Sequence, residues 1–316
     1  MVYLSGPLAF SPLPIKRIWG GRKLRKAYGK IISDGIDGEL WAIVDREDAQ
    51  SVVCCGPFRG YTLHTLWQSY RKEIFGAHLM NDSSPRFPIL CKLLDVQESL
   101  SVQVHPPEWI AKSVNGEPKA EVWYVLNSVP GAKIYAGLKN GTSKRAFEEL
   151  LAIGRVEEAL HELPVEIGNS LFVPSGRLHA IGKGNVIVEI QQNSDTTFRL
   201  YDWNRLGFDG YPRQLHIQES LASIDFADFE PHIQPSGQTS IASCAFFQVD
   251  FLKIAQPIQA HFEEKFSIYV VVGGSISCGG SSFTKGHFFF VPAMDFKIPI
   301  CPLDRKISFL LKATIP

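Results

Sequence analysis

Three short segments of the chain carry side chains that could bind a metal ion. The first is Ser101-Val-Gln-Val-His105, the second is Lys119-Ala-Glu121, and the third ends in Pro-Ser-Gly-Arg-Leu-His179. Two imidazoles, one carboxylate and one amide oxygen can hold Zn²⁺ and leave a position open for water or a substrate oxygen. Other divalent ions that accept nitrogen and oxygen ligands fit the same set, so the residue types alone do not choose the metal.

The spacing within each segment favours a common site. Side chains alternate between the two faces of a strand, so Gln103 and His105 project to the same side, and so do Lys119 and Glu121. The third segment, Gly168–His179, has the spacing Gly-x5-Pro-x-Gly-x2-His, a turn that delivers one imidazole at a strand edge. Taken alone, each of these side chains has an ordinary structural explanation. Their occurrence in order on β elements predicts a metal site.

The elements that must position these residues are mainly strands. Runs of β-branched, aromatic and other apolar residues, bounded by Gly, Pro, Asn or Asp, indicate strands. These runs are Leu40–Val44, Ile89–Leu94, Leu100–Val104, Val122–Leu126, Ser170–Val173, Val186–Ile190, Phe246–Ile254, Ser267–Val272 and His287–Val291. Helical spacing is confined to Tyr61–Phe75 and Ser143–Leu163, the second predicted as a helix pair broken at Gly154 with Thr142 as its N-cap. The pattern predicts a mainly β fold.

An internal repeat divides these strands into two sets. Val122–Leu126 resembles Ser267–Val271, which pairs Tyr124 with Tyr269, and a Gly-x5-Pro element follows in each copy, at 168–174 and 286–292. The longer spacing in the first copy leaves room for a helical insertion near 143–163. We therefore predict two related barrels, a first domain over 1–235 and a second over 240–316, joined in the polar stretch 234–239.

Composition limits the partners. The chain of 316 residues carries 32 basic and 32 acidic residues, so it has no general attraction to nucleic acid or to an anionic membrane. An anionic substrate must therefore be met by a local cluster of cations. The six cysteines show no CxxC spacing, no run of 18 apolar residues occurs, and the N-terminus lacks a signal-peptide pattern. We expect a soluble cytoplasmic protein, a monomer or weak homo-oligomer.

The Gly168–His179 segment resembles the second motif of the cupins, although Lys183 stands where that motif usually has Asn. The first cupin motif is met only in part, since Gln103 replaces its first histidine and Glu121 follows His105 by 16 residues. With these departures, the chain resembles the type I mannose-6-phosphate isomerases, in particular their short bacterial form. The resemblance covers most of residues 10–225. It rests on Trp19–Gly21, Gly38–Trp41, Phe87–Asp95, Leu100–Pro106, Lys119–Glu121 and Glu189–Asp195.

The resemblance implies a fold, a site and an activity. The fold is two cupin-like jelly-roll barrels with a few helices, and the activity is interconversion of mannose 6-phosphate and fructose 6-phosphate through an enediol. One Zn²⁺ per chain would be held by four ligands, and three further residues would act at the pocket. The implied ligands are Gln103, His105, Glu121 and His179, and the implied pocket residues are Arg199, Lys119 and Glu189. The general base stays open between Lys119, Glu189 and a residue not identified.

Two other functions compete with this interpretation. A cupin-type iron oxygenase could use two histidines and one glutamate as a facial triad. The amide ligand Gln103 and the cations Arg199 and Lys119 argue against it. A non-catalytic cupin that binds a sugar phosphate is the second alternative, and the complete ligand set argues against it.

The second barrel, 240–316, is predicted to be free of metal and catalytically silent. Aligned on the first copy, it places Phe266 opposite Glu121 and Lys297 opposite His179. An aromatic ring cannot ligate zinc, and an ammonium group would repel it. Its predicted role is to bury apolar surface against the first domain.

Overall fold

A computed structural model of the chain describes residues 6–24, 35–260, 265–293, 297–303 and 305–316. Antiparallel strands dominate these ranges, and four short α-helices lie wholly within them. Within the same ranges, no helix is both long enough and apolar enough to cross a membrane. The helices are α1 Leu63–Ser69, α2 Glu108–Ala111, α3 Lys144–Ala152 and α4 Ile217–Ser223.

The strands are numbered in chain order. The first thirteen are β1 Phe10–Ser11, β2 Leu13–Gly21, β3 Asp37–Ile43, β4 Val52–Val53, β5 Ile89–Val96, β6 Val102–Val104, β7 Glu121–Ser128, β8 Lys133–Leu138, β9 Leu160–Pro164, β10 Ser170–Val173, β11 His179–Ile181, β12 Asn185–Gln192 and β13 Phe198–Tyr201. The others are β14 Ser240–Ser243, β15 Gln248–Ile254, β16 Ile258–Gln259, β17 Ser267–Gly273, β18 Ser275–Cys278, β19 Ser281–Thr284, β20 Phe288–Val291, β21 Pro299–Pro302 and β22 Ser308–Thr314. Each of the runs predicted as a strand overlaps one of these, which confirms the mainly β fold.

The helix predicted over Tyr61–Phe75 is interrupted. Thr62 is its N-cap, and the Thr62 hydroxyl accepts a hydrogen bond from the Thr65 amide at 3.0 Å. The α-helix ends at Ser69 and a π-helical turn continues over Arg71–Phe75. The prediction is therefore right about where helical structure occurs and wrong that it forms one continuous helix.

The helix pair predicted over Ser143–Leu163 is wrong at both of its ends. Ser143, rather than Thr142, caps α3, because the Ser143 hydroxyl accepts a hydrogen bond from the Ala146 amide. A 3₁₀ turn follows over Val156–Ala159, and the chain then enters β9, which pairs with β8. Sheet pairing prevails over helical spacing here, so the insertion is helical only as far as Ala159.

Two sheets formed by the first half of the chain enclose the first interior. One has the order β10-β7-β12-β5-β3-β2 and the other the order β13-β6-β11-β8-β9. Val125 and Ile187 of the first sheet share one buried cluster with Ile134 and Ile181 of the second. The two sheets therefore pack face to face, as a jelly roll requires.

The second half repeats this strand order. Its sheets run β14-β15-β22-β17-β20 and β16-β21-β18-β19. Read in matching order, β20, β17, β22, β15 and β14 stand where β10, β7, β12, β5 and β3 stand in the first half. Likewise, β16, β21, β18 and β19 stand where β6, β11, β8 and β9 stand. The recurring order supports the repeat found in the sequence, and the division into two barrel domains stays a prediction.

The strand register corrects the predicted counterpart of Glu121. Val173 lies opposite Glu121 where β10 pairs with β7, and Val291 lies opposite Ser267 where β20 pairs with β17. Ser267, rather than Phe266, therefore takes the position of Glu121. Matching Tyr124 with Tyr269 shifted the alignment by one residue, and such a shift moves every side chain to the other face of a strand.

The predicted counterpart of His179 is also wrong. His179 on β11 pairs with Gln103 on β6, and the equivalent pair between β21 and β16 is Ile300 with Ile258. Lys297 is exposed and precedes β21. Ile300 is completely buried, so an apolar side chain fills the position of the imidazole.

An aromatic core joins the two halves. Phe266 stacks on Phe290 with ring centroids 4.9 Å apart, and both rings contact Phe75 and Phe87 of the first half. These residues belong to one buried cluster that draws on both sets of sheets. Phe266 thus faces the neighbouring half, which explains why it is absent from the interior of its own.

Candidate metal centre and substrate pocket

Paired strands bring the predicted ligands together. Gln103 on β6 lies between His179 on β11 and Arg199 on β13, and Glu121 opens β7 in the facing sheet. His105 follows β6 directly, on the same face as Gln103. Residues up to 96 positions apart in the chain therefore meet at one end of the first interior.

Three of the predicted ligands form one compact group. One ligand atom from each of His105, Glu121 and His179 lies within 4.8 Å of the others, and all three side chains are buried. His105 Nε2 lies 3.6 Å from Glu121 Oε2, and His179 Nε2 lies 3.5 Å from Glu121 Oε1. These separations suit ligands that share one ion, since each would lie about 2 Å from it.

Backbone carbonyls orient both imidazoles toward this group. His105 Nδ1 donates to the Thr196 carbonyl at 2.8 Å, and His179 Nδ1 donates to the Arg177 carbonyl at 2.8 Å. A proton on each Nδ1 leaves the Nε2 lone pair free for coordination. This second layer of hydrogen bonds is usual around metal-bound histidines.

The inward atoms of the group need a cation. His105 Nε2 and Glu121 Oε1 are buried and have no hydrogen-bond partner among the described residues. The Lys119 ammonium approaches Glu121 Oε2 at 2.7 Å. A buried acceptor without a donor is costly, and a metal ion would satisfy both the imidazole and the carboxylate. The donor set therefore fits a metal.

Protonation states also favour coordination. Burial, together with the neighbouring His105, lowers the pKa of His179 to about 3, and burial with Lys119 lowers the pKa of His105. Burial alone would raise the pKa of Glu121, but the Lys119 ammonium together with His105 and His179 outweighs burial and holds that pKa well below its usual range. Near neutral pH the site therefore presents two neutral imidazoles and one carboxylate, the forms that bind metals.

Gln103 stands beside the group with its amide nitrogen inward. Its Nε2 donates to His179 Nε2 at 3.3 Å, and its Oε1 accepts from the Ser101 hydroxyl at 3.3 Å. To serve as a fourth ligand the amide would have to turn over and present Oε1. The position of Gln103 agrees with the predicted ligand set, and its coordination stays a prediction.

A cavity of about 290 Å³ opens beside the metal group. All the predicted pocket residues, Arg199, Lys119 and Glu189, line it, and so does Gln103. Its wall also contains residues that the sequence did not single out as functional. These are Arg17, Trp19, Glu39, Lys92, Leu94, Leu100, Ser101, Asp195, Thr197 and Arg213.

A buried chain of alternating charges runs along the cavity floor. Glu189 Oε1 lies 3.5 Å from the ammonium groups of both Lys119 and Lys92, and Lys92 lies 3.5 Å from Glu39 Oε2. Burial would lower the pKa of Lys119, but Glu121 and Glu189 outweigh it and raise that pKa. Burial raises the pKa of Glu189. Lys119 therefore stays protonated, and the carboxyl group of Glu189 has an increased affinity for a proton.

Lys92 and Glu39 left a signal in the sequence. Lys92 is the one lysine in the buried strand β5, and Glu39 lies in the equally buried β3. Charged residues are rarely buried unless they are paired or functional, so a charge inside an otherwise apolar run marks such a site. Arg17 and Arg213 left no comparable signal, because only the fold brings them to the cavity.

Comparison with known proteins agrees with this site. The catalytic-domain model of the type I phosphomannose isomerases matches residues 12–134. The mannose-6-phosphate isomerase ManA of Bacillus subtilis is 38% identical over 277 residues, which are 85% of this chain and 86% of that protein. The structure of the Bacillus subtilis mannose 6-phosphate isomerase superposes with a TM-score of 0.87 at 31% identity, over 98% of this chain and all of that one.

A more distant structure extends the likeness in fold. A mannose 6-phosphate isomerase bound with zinc and yttrium matches with a TM-score of 0.76 at 15% identity, over 99% of this chain and all of that one. The strand content, the closer structural match and the extent of the closer sequence match confirm the predicted mainly β, cupin-type fold and the predicted family. The chain belongs to the type I phosphomannose isomerases.

Proposed function

We propose that this protein is a zinc-dependent aldose–ketose isomerase that interconverts mannose 6-phosphate and fructose 6-phosphate. The observation that carries the proposal is the buried group of His105, Glu121 and His179, whose inward atoms need a cation. Membership of the family supports the choice of substrate. The adjoining cavity supports the reaction type, because it places the protonated Lys119 and the carboxyl group of Glu189, whose pKa is raised, beside that group.

His105, Glu121 and His179 would hold the metal, and Gln103 would be the fourth ligand through its amide oxygen. Nitrogen and oxygen donors in this proportion suit Zn²⁺, and a related fold with zinc bound supports that choice. When bound, the ion would act as a Lewis acid, which would polarise the sugar carbonyl and stabilise developing negative charge on its oxygen.

The proton moves between C2 and C1 of the open-chain sugar by way of an enediol. Glu189 fits the base better than Lys119, because its raised pKa gives a carboxylate with increased proton affinity. Lys119 is held protonated by Glu121 and Glu189, so it fits a hydrogen-bond donor to a sugar oxygen. Trp123 donates from Nε1 to Glu189 Oε2 at 3.2 Å and orients that carboxyl group.

Apolar and cationic side chains complete the lining of the cavity. Trp19, Leu94 and Leu100 line the cavity with apolar surface. Arg199 on β13 lines the same cavity. We expect its guanidinium to contact the substrate and not the metal.

The test is a coupled assay of fructose 6-phosphate formation by the purified protein. We expect activity that a chelator abolishes and that about one equivalent of Zn²⁺ per chain restores. An oxygen electrode run in parallel tests the oxygenase alternative. Absence of isomerase activity in the zinc-loaded protein, or oxygen uptake with iron, would refute the proposal.

We also propose a cytoplasmic location and no nucleic-acid partner. Cys55, Cys91, Cys244, Cys278 and Cys301 form no disulfide among the described residues, which suits a reducing compartment. The balanced charge of the chain suits a small-molecule substrate rather than a polyanion. A monomer or weak homo-oligomer is the expected assembly, to be checked by light scattering of the purified protein.

A further inference from the structure

A second cavity, of about 400 Å³, opens in the second half of the chain. Residues of β14, β15, β16 and β22 contribute to its wall. These strands stand where β3, β5, β6 and β12 stand in the first half, and residues of those four strands line the cavity beside the metal group. The two cavities therefore open at corresponding places in the two halves.

The strand register extends this correspondence to a buried aromatic residue and its neighbour. The β10–β7 and β20–β17 pairings put Tyr269 at the position of Trp123. Trp123 lies opposite Glu189 on β12, and Tyr269 lies opposite Lys312 on β22. Lys312 therefore takes the position of Glu189, the carboxyl group proposed above as the base.

The charge beside this position is exchanged as well. Glu189 lies opposite Lys92 on β5, whereas Lys312 lies opposite Asp250 on β15. An acidic and a basic residue thus face each other across the strands in both halves, with their signs reversed. Asp250, Lys312 and Tyr269 all line the second cavity. The second half therefore keeps charged side chains at these two positions of its cavity.

Neighbouring groups position two of the side chains in the cavity wall. Gln248 Nε2 donates to both carboxylate oxygens of Asp250, at 3.2 and 3.0 Å. The Tyr269 hydroxyl donates to the Ala260 carbonyl, which fixes the aromatic ring in the wall. A ligand would therefore meet a carboxylate acceptor and an aromatic ring whose positions are already set.

Gln259 supplies an acceptor that lacks a donor. Its side chain lines the cavity, and its Oε1 is buried with no hydrogen-bond partner among the described residues. Leaving a buried acceptor unpaired is costly, and a hydroxyl group bound in the cavity would donate to it. The cavity therefore favours a ligand that carries hydroxyl groups.

The remaining lining indicates an uncharged ligand with an apolar face. Among the described residues that line the cavity, Lys312 is the one cation and Asp250 the one carboxylate, so their charges balance. The first cavity, by contrast, is lined by guanidinium groups, which suit an anion. Phe251, Leu252 and Ile258 add apolar surface to the second. A few polar groups in a mainly apolar wall are typical of a small-molecule site of this size.

We propose that the second cavity is a non-catalytic binding site for a neutral, unphosphorylated monosaccharide. A sugar ring has C–H faces that would pack on Leu252 and Ile258, and its hydroxyl groups both donate and accept hydrogen bonds. These hydroxyl groups match the acceptors Asp250 and Gln259 and the donor Lys312. The site binds without catalysis, because the described residues of the second half form no counterpart of the buried metal group.

The test is equilibrium dialysis of radiolabelled mannose, fructose and glucose against the zinc-loaded protein. Saturating mannose 6-phosphate is present so that the first cavity is occupied. We expect one saturable site per chain for at least one of the three sugars. Absence of saturable binding for all three would overturn the proposal.

Two variants locate the bound sugar. Gln259→Leu removes the unpaired acceptor and should weaken binding about 3-fold to 10-fold, the usual cost of one hydrogen bond. Leu252→Trp fills the cavity and should abolish measurable binding. Gln256→Leu is the matched control, because Gln256 is exposed and does not line the cavity, and it should bind as wild type does.

Urea denaturation separates binding from folding. Gln259→Leu should unfold at a urea concentration no lower than wild type, since it removes a buried acceptor that has no described partner. Wild-type sugar affinity in both Gln259→Leu and Leu252→Trp would place the sugar elsewhere and overturn the proposal. In titration calorimetry, a second equivalent of mannose 6-phosphate per chain that is lost in Leu252→Trp would contradict the neutral ligand class.

Discussion

The two halves of the chain share a strand order and differ in what they bury. Every buried charged side chain and every buried histidine that the structure describes lies before residue 240. In the described part of 240–316, the buried polar side chains are two serines, Ser267 and Ser308. The buried charged residues and histidines of the first half are Asp37, Glu39, Asp45, Lys92, Asp95, His105, Lys119, Glu121, His179, Glu189 and Asp202.

The register shows how closely the two interiors correspond. The strand pairings place Ile258 at the position of Gln103, Ser267 at that of Glu121 and Ile300 at that of His179. Ala260, two residues after Ile258, is completely buried where His105 would lie. One strand arrangement can therefore hold the candidate metal group or an apolar core. Burying charge is costly unless the charges are paired, and at these positions the second half has apolar packing where the first half has charged side chains.

The largest expected effect comes from replacing His179, whose position in the second half is taken by Ile300. His179→Ala should lose its bound metal and at least about 100-fold in activity, because the loss of one ligand breaks the coordination set. Metal analysis of purified wild type should give one ion per chain, and of the variant close to none. Full metal content in His179→Ala, or two ions per wild-type chain, would contradict the assignment of a single centre to the first half.

Substitutions of Arg199 test the part of the same interior that is proposed to contact the substrate. Arg199→Ala should fold and retain its metal but lose about 100-fold to 1,000-fold in kcat, because it removes a charged donor from the cavity. Arg199→Lys should recover only part of this loss, since an ammonium cannot reproduce the planar guanidinium. Steady-state kinetics with metal analysis of each variant provides the measurement. Wild-type turnover in Arg199→Ala would reduce this arginine to a structural role.

Ile300→Ala examines the apolar interior. It should lower the free energy of unfolding by about 2–5 kcal/mol, the usual cost of truncating a fully buried aliphatic side chain. Metal content and KM of the folded variant should stay at wild-type values. Urea denaturation and metal analysis measure the two effects separately. Loss of metal from the folded Ile300→Ala protein would show that the second half contributes to the centre.

Acid should destabilise the charged interior through Glu39. Burial would raise the pKa of Glu39, but Lys92 and Arg17 outweigh it and lower this pKa from 4.5 to about 2. A lowered folded-state pKa gives stability that is present above pH 4.5 and is lost as pH falls toward 2, by about 3 kcal/mol in total.

The measurement is chelator-treated protein unfolded by urea between pH 5 and pH 2. Wild type should lose stability more steeply than Glu39→Gln, which cannot titrate at this position. Glu162→Gln is the control, because Glu162 forms an exposed ion pair with Lys133 and should leave the slope unchanged. Equal slopes for wild type and Glu39→Gln would mean that the pairing of Glu39 adds no acid-sensitive stability.

Much of the site was predictable because its residues lie in short segments with local spacing. Strand alternation alone places Gln103 and His105 on one face, and the Gly-x5-Pro-x-Gly-x2-His spacing marks His179. The remainder depends on pairing between distant strands. The counterpart of Glu121 in the second half was misassigned because residue similarity chose Tyr269 for Tyr124, whereas the β17–β20 register requires Val270.

The sequence by itself determined the mainly β composition, the three segments that form the candidate metal group, the recurrence of the strand pattern and the family. Each of these depends on residue types within a few positions of one another, and strand alternation and turn preferences act over the same short range. Only the tertiary structure decided that Arg17 and Arg213 reach the cavity and that Lys92 and Glu39 complete its charges. It also decided that Ser267 and Ile300 take the positions of Glu121 and His179 in the second half. Register and long-range pairing set these facts, because a side chain's surroundings are supplied by strands far away in the chain.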